Sequence, residues 1–509
     1  TAYEMECRDW SSDVCSSDIV EGGQTLSFLQ LEQQSAQLAN LFTGIGLQRG
    51  DNIAILLKNR CEYFVIAWAA QRSGLYYTPV NWHLTTAEAS YIVKDCGARI
   101  LLADAELSDL ACSVYQQISS LAAYYSVGGL IEGFMSITEA MSAYPATPRD
   151  HEPAGSMMLY SSGTTGLPKG IKRPLPEQDY SAPISIEPLM AEMWGFTTES
   201  SYLCPAPLYH SAPLSWSMGA HKFGCTVVLM QKFDPEAFLA QIERYRISHT
   251  QCVPTMFVRL LNLPDSVKTQ YEISSLQAAI HAAAPCPVHI KEQMLDWWGP
   301  IIYEFYSGSE WFGTTAINTL EWLAHKGSVG KSLQGNLHII SEDGVELPIG
   351  EIGLVYFENP QINFHYHNAP EKTQAAMLND SWATYGDMGY LDSDAYLYLV
   401  DRRTDLIISG GVNIYPSEIE NALLQHEAVL DAAVIGVAHS EWGEKVVAVV
   451  EQAPAYTGDN TLAETLKDFC HQHIAAFKCP RQIEFSNLPR TETGKLQRRK
   501  LKVQYATDT

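Results

Sequence analysis

Residues 160–170 read YSSGTTGLPKG, a run of hydroxyls, glycines and one lysine that follows the apolar residues Met157, Met158 and Leu159. The apolar residues predict the end of a buried strand. Gly163 and Gly166 let backbone N–H groups turn toward an anion. Ser161, Ser162, Thr164, Thr165 and Lys169 add hydroxyl donors and a mobile positive charge. The stretch predicts a phosphate-binding loop, with a plain Gly-Thr turn as the alternative when these residues are read alone. A P-loop NTPase is disfavoured. Its lysine follows glycine and precedes Ser or Thr, whereas Lys169 lies between Pro168 and Gly170.

Six further blocks follow in order. They are APLYHSAP at 206–213, HAAAPCP at 281–287, YSGSE at 306–310, YGDMGYLD at 385–392, DRRTDLIISGGVNIYPSEIE at 401–420 and PRTETGKLQRRK at 489–500. Together with the glycine-rich loop they resemble the adenylate-forming superfamily of acyl-CoA synthetases, aryl-CoA ligases, firefly luciferase and amino-acid adenylation domains. The resemblance runs from about Thr25 almost to the end of the chain. It implies a mixed α/β fold, with a large N-terminal domain of several subdomains over 20–401. A small mobile α+β domain would follow over 402–509.

Length and composition agree with such a protein. The 509 residues exceed one ordinary core and predict two or three domains. With 46% hydrophobic and 18% charged residues the chain reads as globular. A formal net charge of −25 disfavours nucleic acid as a partner, which basic surface would bind. The 11 cysteines show no CxxC pair and predict reduced thiols in a cytoplasmic protein. No apolar run reaches the length of a membrane span.

Residues 1–19 stand apart: they lack apolar periodicity, repeat Ser-Ser-Asp at Ser11 and Ser16, and have no apolar core of a signal peptide. They resemble a translated sequencing-adapter fragment and are expected to be extraneous, or else an ordinary disordered tail. Residues 29–42 show helical periodicity that stops before Gly44, and residues 52–57 and 100–103 read as buried strands. Gly44 and Gly46 follow a helix rather than a strand, so they predict a helix stop and not a dinucleotide fingerprint. Residues 396–400 predict a strand, and the charged break at 401–404 marks the domain boundary.

The resemblance assigns roles residue by residue. Tyr306 lays its ring on adenine, with a core tyrosine as the bland reading. Glu310, aided by Ser161, binds Mg²⁺ as a hard oxygen donor. Asp387, an acceptor when ionised, suits the ribose hydroxyls, and Arg402 reaches the same ribose or a phosphate. Ala282, Ala283 and Ala284 let backbone approach the nucleotide and leave room for an acyl group, and Ser309 of the YSGSE block joins the nucleotide-binding residues. Lys495 holds carboxylate and α-phosphate together as charge shifts onto the phosphate oxygens, although a solvated basic tail is its bland reading. Arg498 and Arg499 could meet CoA phosphates.

The implied reaction joins a carboxylic acid to CoA through an acyl-AMP intermediate, with ATP and CoA as co-substrates. Between the two halves the C-terminal domain rotates, withdrawing Lys495 and bringing Gly410 and Gly411 in as a pantetheine tunnel. The hinge falls near Thr404, where relatives carry Asp or Lys. His210 separates the branches, because amino-acid adenylators place at that position an Asp that pairs with an ammonium group. A gate histidine suits the acyl-CoA synthetase branch; a satisfied structural histidine is the alternative.

Trp194, His210, Trp216 and Met218 are expected to wall an apolar acyl pocket. This points to a medium- or long-chain fatty acid or a bulky ring-bearing acid, with a hydroxycinnamate-type aryl acid as runner-up. A carrier-protein acylating or oxidative relative and a noncatalytic nucleotide-binding paralogue remain alternatives, and self-association as a homodimer is left open. Cys470, His471, His473 and Cys479 cluster, but not at standard zinc spacing.

Overall fold

The strand Asn52–Leu56 is buried along its whole length and runs parallel to Tyr76–Pro79 on one side and Ala98–Asp104 on the other. A largely apolar, non-alternating run is what a parallel strand covered on both faces requires. These strands are the centre of a six-stranded sheet completed by Ala123–Val127, Met135–Ser136 and Ser156–Met157. The computed structural model of the protein describes residues 18–21, 24–118, 120–161, 168–184, 186–402, 405–409, 412–439, 442–491 and 496–505.

The helix Phe28–Gly44 shares a hydrophobic core with this sheet. Its start is set by a capping box: Ser27 accepts the Gln30 N–H, and the Gln30 side chain accepts the Ser27 N–H. Its end is a Schellman turn, with Gly46 at φ 85° and N–H bonds from Gly46 to Thr43 and from Leu47 to Phe42. The expected helix stop is therefore found, two residues later than the periodicity of 29–42 predicts. Next comes the helix Cys61–Gln71, buried on nearly every side, which is the condition under which a helix reads as apolar all round.

A second sheet has nine strands among the described residues, in the order Lys331–Gln334, Thr314–Ile317, Ile302–Ser307, Ala278–His281, His249–Cys252, Ser201–Cys204, Thr226–Leu229, Asp18–Glu21 and Gln24–Ser27. The strands from Ile302–Ser307 through Asp18–Glu21 are parallel. Phe42, Phe64, Trp68, Tyr202, Trp216 and Ile280 share one core that joins helices and both sheets.

The apolar residues before the glycine-rich loop do not form one strand. Ser156–Met157 joins the first parallel sheet, and after Met158 the strand Leu159–Ser161 pairs antiparallel with Lys169–Lys172. Residues 162–168 thus connect the two strands of a hairpin. The strand His365–Tyr366 extends the hairpin to three strands.

An antiparallel six-stranded sheet follows and ends on the strand Leu397–Arg402. A five-stranded sheet then begins with Ile407–Ser409. Leu406 and Tyr415 pack on Ile340, Tyr356 and Met388 of the preceding sheet, and the Ser417 N–H donates to Asp401 at 3.0 Å. Cys470 and Cys479 are buried in the last core, and the His473 ring bonds to the Phe469 carbonyl at 2.7 Å. No helix among the described residues is long and apolar enough to cross a membrane.

The strand Asp18–Glu21 corrects the boundary expected at residue 19. It lies between Gln24–Ser27 and Thr226–Leu229 and pairs with both, so Asp18 and Ile19 belong to the sheet. Residues 1–17 lie outside the described residues. Deleting 1–17 is expected to leave the melting temperature and the activity unchanged. Extending the deletion through Glu21 strips a strand that pairs on both edges and is expected to lower the melting temperature by several degrees, read by scanning fluorimetry.

Candidate active site

Three of the blocks leave the same edge of the nine-stranded sheet. The 206–213 block follows Ser201–Cys204, the 281–287 block begins at the last residue of Ala278–His281, and Tyr306 to Glu310 close Ile302–Ser307 and the turn after it. Ser201–Cys204 is also where the strand order reverses, since the chain passes to Thr226–Leu229 on one side and then to His249–Cys252 on the other. In open α/β sheets the crevice at such a point is where ligands bind.

Tyr306 and Asp387 meet across two sheets. The Tyr306 hydroxyl donates to Asp387 Oδ2 at 2.7 Å, and Asp387 is 8% exposed. Arg402 stands opposite Asp387 in the strand register; its side chain lies outside the described residues. This arrangement joins the expected adenine platform to the expected ribose acceptor.

Sequence reading missed the residue that braces the turn carrying Ser309 and Glu310. The Tyr385 hydroxyl accepts the N–H groups of Phe312 and Gly313 at 3.2 and 3.1 Å and donates to the Gly313 carbonyl at 2.9 Å. Its ring stacks on Phe312 at 4.1 Å and lies so close to Gly308 that a Cβ there would fall 2.2 Å from it. Burial pushes the Tyr385 hydroxyl up to about 12. Asn59, 2% exposed, does the same for the 206–213 block: its amide donates to the Ala206 and Met230 carbonyls and accepts the Leu208 N–H at 2.8 Å. The first letters of YGDMGYLD carried the Tyr385 signal. Asn59 had none.

Glu310 accepts the Tyr366 hydroxyl at 2.7 Å. The Lys169 ammonium stands 4.7 Å from the centroid of the same Tyr366 ring, and Lys169 faces Ser161 across the hairpin. The hairpin is tied down at its other side by the Tyr160 hydroxyl, which donates to Asp95 at 2.6 Å. Asp95 also accepts the Asn368 amide at 3.1 Å. Ser162, Gly163, Thr164, Thr165 and Gly166 of the loop itself lie outside the described residues, as do Gly410, Gly411, Thr404 and Lys495. Both ends of the 492–495 segment are anchored, however. Arg490 bridges to Leu496 and is held by Asp431 at 2.6 and 2.8 Å. Arg498 forms two 2.8 Å bonds to Glu420, which places its guanidinium inside the C-terminal domain.

Ala283 has φ 75°, a conformation that favours glycine and costs a side-chain-bearing residue roughly 1–2 kcal/mol. Beneath it lies a buried ionic cluster that sequence reading did not single out. Lys291, fully buried, donates to Glu304 at 2.7 Å and sits 4.7 Å from the centroid of the Trp322 ring. His281 lies 3.4 Å from the same carboxylate oxygen. Burial, reinforced by Lys291, pushes His281 well below the usual imidazole range. Burial also raises Glu304, against the pull of Lys291. The cluster ties the helix Val288–Trp298 to the two strands that deliver Ala283 and Tyr306.

His210 is the N-cap residue of the helix Ser211–Lys222, its ring 4.4 Å from that of Tyr209. Trp82 meets Tyr209 edge to face at 4.5 Å. Trp194 and Trp216 pack on each other at 4.5 Å and on Phe305 at 5.9 Å, and Met218 accepts the Tyr77 hydroxyl at 3.6 Å. All three are at most 3% exposed. They stand behind His210 as packed core.

Residues 5–367 match the AMP-binding enzyme family, and residues 418–495 match the AMP-binding enzyme C-terminal domain. The chain belongs to this family. It is an adenylate-forming enzyme of the acid–thiol ligase class, with the mixed α/β fold and large and small domains of its relatives. The 2-succinylbenzoate–CoA ligase of Bacillus licheniformis is 31% identical to it, over 95% of this chain and 96% of the relative. The fatty acid–[acyl-carrier-protein] ligase ScoC of Streptomyces coeruleorubidus is also 31% identical, over 96% of this chain and 93% of the relative. The structure of o-succinylbenzoate CoA synthetase from Bacillus subtilis in complex with its acyl-adenylate intermediate superimposes with a TM-score of 0.79 at 28% identity, over 95% of this chain and 94% of that one.

Removing one partner of the buried cluster leaves an uncompensated charge. Lys291→Ala is expected to destabilise the fold by about 3–5 kcal/mol in urea denaturation. Replacing the pair together, as Lys291→Met with Glu304→Leu, is expected to recover most of that loss.

Proposed function

We propose that the protein is an AMP-forming acid–CoA ligase that takes a bulky apolar carboxylic acid. The observation that carries this reading is the Tyr306–Asp387 pair, set beside Glu310 and the Ala282 to Ala284 turn at one sheet edge. An aromatic platform and a ribose acceptor bind the nucleoside, and the neighbouring hairpin loop takes the phosphates. In the first half a carboxylate oxygen of the acid bonds to the α-phosphorus of ATP and the bond to the bridging oxygen breaks, releasing pyrophosphate. In the second half the CoA sulfur, its proton lost to solvent, bonds to the acyl carbon, and AMP leaves with the electrons of the acyl C–O bond.

Lys495 is assigned the charge at the α-phosphate in the first half, and Gly410 and Gly411 the pantetheine passage in the second, with rotation of the C-terminal domain about residues near Thr404. Glu310 fits a magnesium ion. One of its oxygens takes the Tyr366 hydroxyl and the other is left for a hard cation that keeps waters and phosphate oxygens as its remaining ligands. Such an ion would supply charge neutralisation on the phosphates.

One feature supports a bulky acid: a relative is named for an aromatic acid, 2-succinylbenzoate. A ring-bearing acid is accordingly placed ahead of a medium- or long-chain fatty acid. The ScoC relative, named for a fatty acid and a carrier protein, keeps carrier acylation as the second reading. A panel of acids assayed for ATP–pyrophosphate exchange, and for AMP release with CoA or with a phosphopantetheinylated carrier, tests both. Activity confined to acetate or amino acids would overturn the bulky-acid reading, and turnover with the carrier alone would overturn CoA.

Two variants separate the halves. Lys495→Ala is expected to slow acyl-AMP formation by roughly two to three orders of magnitude and to spare conversion of supplied acyl-AMP to acyl-CoA. Gly411→Leu is expected to do the reverse. If both slow the same half, one fixed conformation performs both steps.

A further inference from the structure

Tyr366 touches both charge-bearing groups that flank the expected triphosphate. Its hydroxyl donates to Glu310 Oε1 at 2.7 Å, a length typical of a bond to an ionised acceptor. Its ring face lies 4.7 Å from the Lys169 ammonium, within the range of a cation–π contact. The side chain itself is fixed. Tyr366 is 7% exposed, its ring meets Phe364 at 5.5 Å, and its backbone N–H donates to Thr373 at 2.9 Å. In the strand register it stands opposite Ile171, two residues from Lys169. One rigid ring therefore sets where the lysine rests and which oxygen of Glu310 faces outward.

We propose that Tyr366 is a positioning residue for metal–nucleotide binding, one that orients the Glu310 carboxylate toward the cation and parks the Lys169 ammonium beside the phosphate loop. The proposal rests on the reading of Glu310 as the magnesium residue. By accepting at Oε1, Glu310 loses rotational freedom and presents Oε2 to the ion. Moving the Lys169 ammonium from the ring face to phosphate oxygens exchanges a cation–π contact for a stronger ammonium–phosphate bond.

Tyr366→Phe keeps the ring beside Lys169 and removes the bond to Glu310, so it separates the two roles. It is expected to raise the magnesium concentration for half-maximal acid-dependent ATP–pyrophosphate exchange about tenfold, the effect of one lost charge-assisted hydrogen bond. The dissociation constant for Mn²⁺–ATP, measured by calorimetry without turnover, should weaken in parallel, while that for metal-free ATP should stay within twofold. Tyr366→Leu should weaken metal-free ATP as well, because Lys169 then loses its rest.

A double-mutant comparison decides between positioning and general damage. In a Glu310→Gln background, Tyr366→Phe should add nothing to the metal requirement. An equal effect in both backgrounds, or a metal shift with Glu310→Gln but none with Tyr366→Phe, overturns the proposal and leaves the reading of Glu310 in place. No metal shift with either variant removes Glu310 from the metal site and the proposal with it.

Discussion

The carboxyl-terminal edge of the nine-stranded sheet is the constraint on which the site depends. Parallel strands release their connections at the same end, so segments separated by up to a hundred residues are brought within a few strand spacings of one another. Neighbouring strands in a sheet are about 4.8 Å apart, and Ala278–His281 and Ile302–Ser307 are direct neighbours. Their relative height at that edge is set by the strand register, with Ala279 opposite Ile302 and His281 opposite Glu304. The antiparallel sheets then approach from the side and contribute Asp387, Tyr385 and Tyr366. No single element contains the site.

The electrostatics of this edge run against those of the whole chain. A protein with a formal charge of −25 repels a triphosphate at long range, and the repulsion must be overcome locally. The described residues show one way of doing so. Glu310 and Asp387 are each engaged by a tyrosine hydroxyl, which satisfies one oxygen and lowers the local density of unpartnered negative charge. Lys169 stands against an aromatic face, where its charge is retained and remains transferable. Glu420 is matched to Arg498 and Glu304 to Lys291, so these two carboxylates contribute little to the field at the site.

The candidate residues Tyr306, Glu310, Asp387 and Lys169 were legible because each sits in a short local block, and the structure sets Tyr306 on Asp387 and Tyr366 between Glu310 and Lys169. The helix Phe28–Gly44 was legible for the same reason, its periodicity and glycine stop being written in consecutive residues. The split of Met157 and Leu159 between two sheets was not, because an apolar run cannot announce which neighbour each residue will pair with. Nor could Tyr366, 56 residues from Glu310, or Asn59, 147 residues from Ala206, be found from spacing. Their roles exist only after strands and loops have been brought together. The strand at Asp18–Glu21 escaped because four residues are too few for a pattern.

Trp194, Trp216 and Met218 have a consequence for how this enzyme could change its diet. These side chains are packed core: they hold the helix Ser211–Lys222 onto Phe305 and the sheet. Truncating Trp216 to make room would cost about 3–5 kcal/mol through lost packing and the cavity left behind, a large part of the stability of an ordinary fold. Selection for a larger substrate would therefore reach sooner for partly exposed positions such as His210, or would first require compensating gains elsewhere. Breadth of specificity in this scaffold is coupled to thermal margin, and a stabilised variant would be the better parent for redesign.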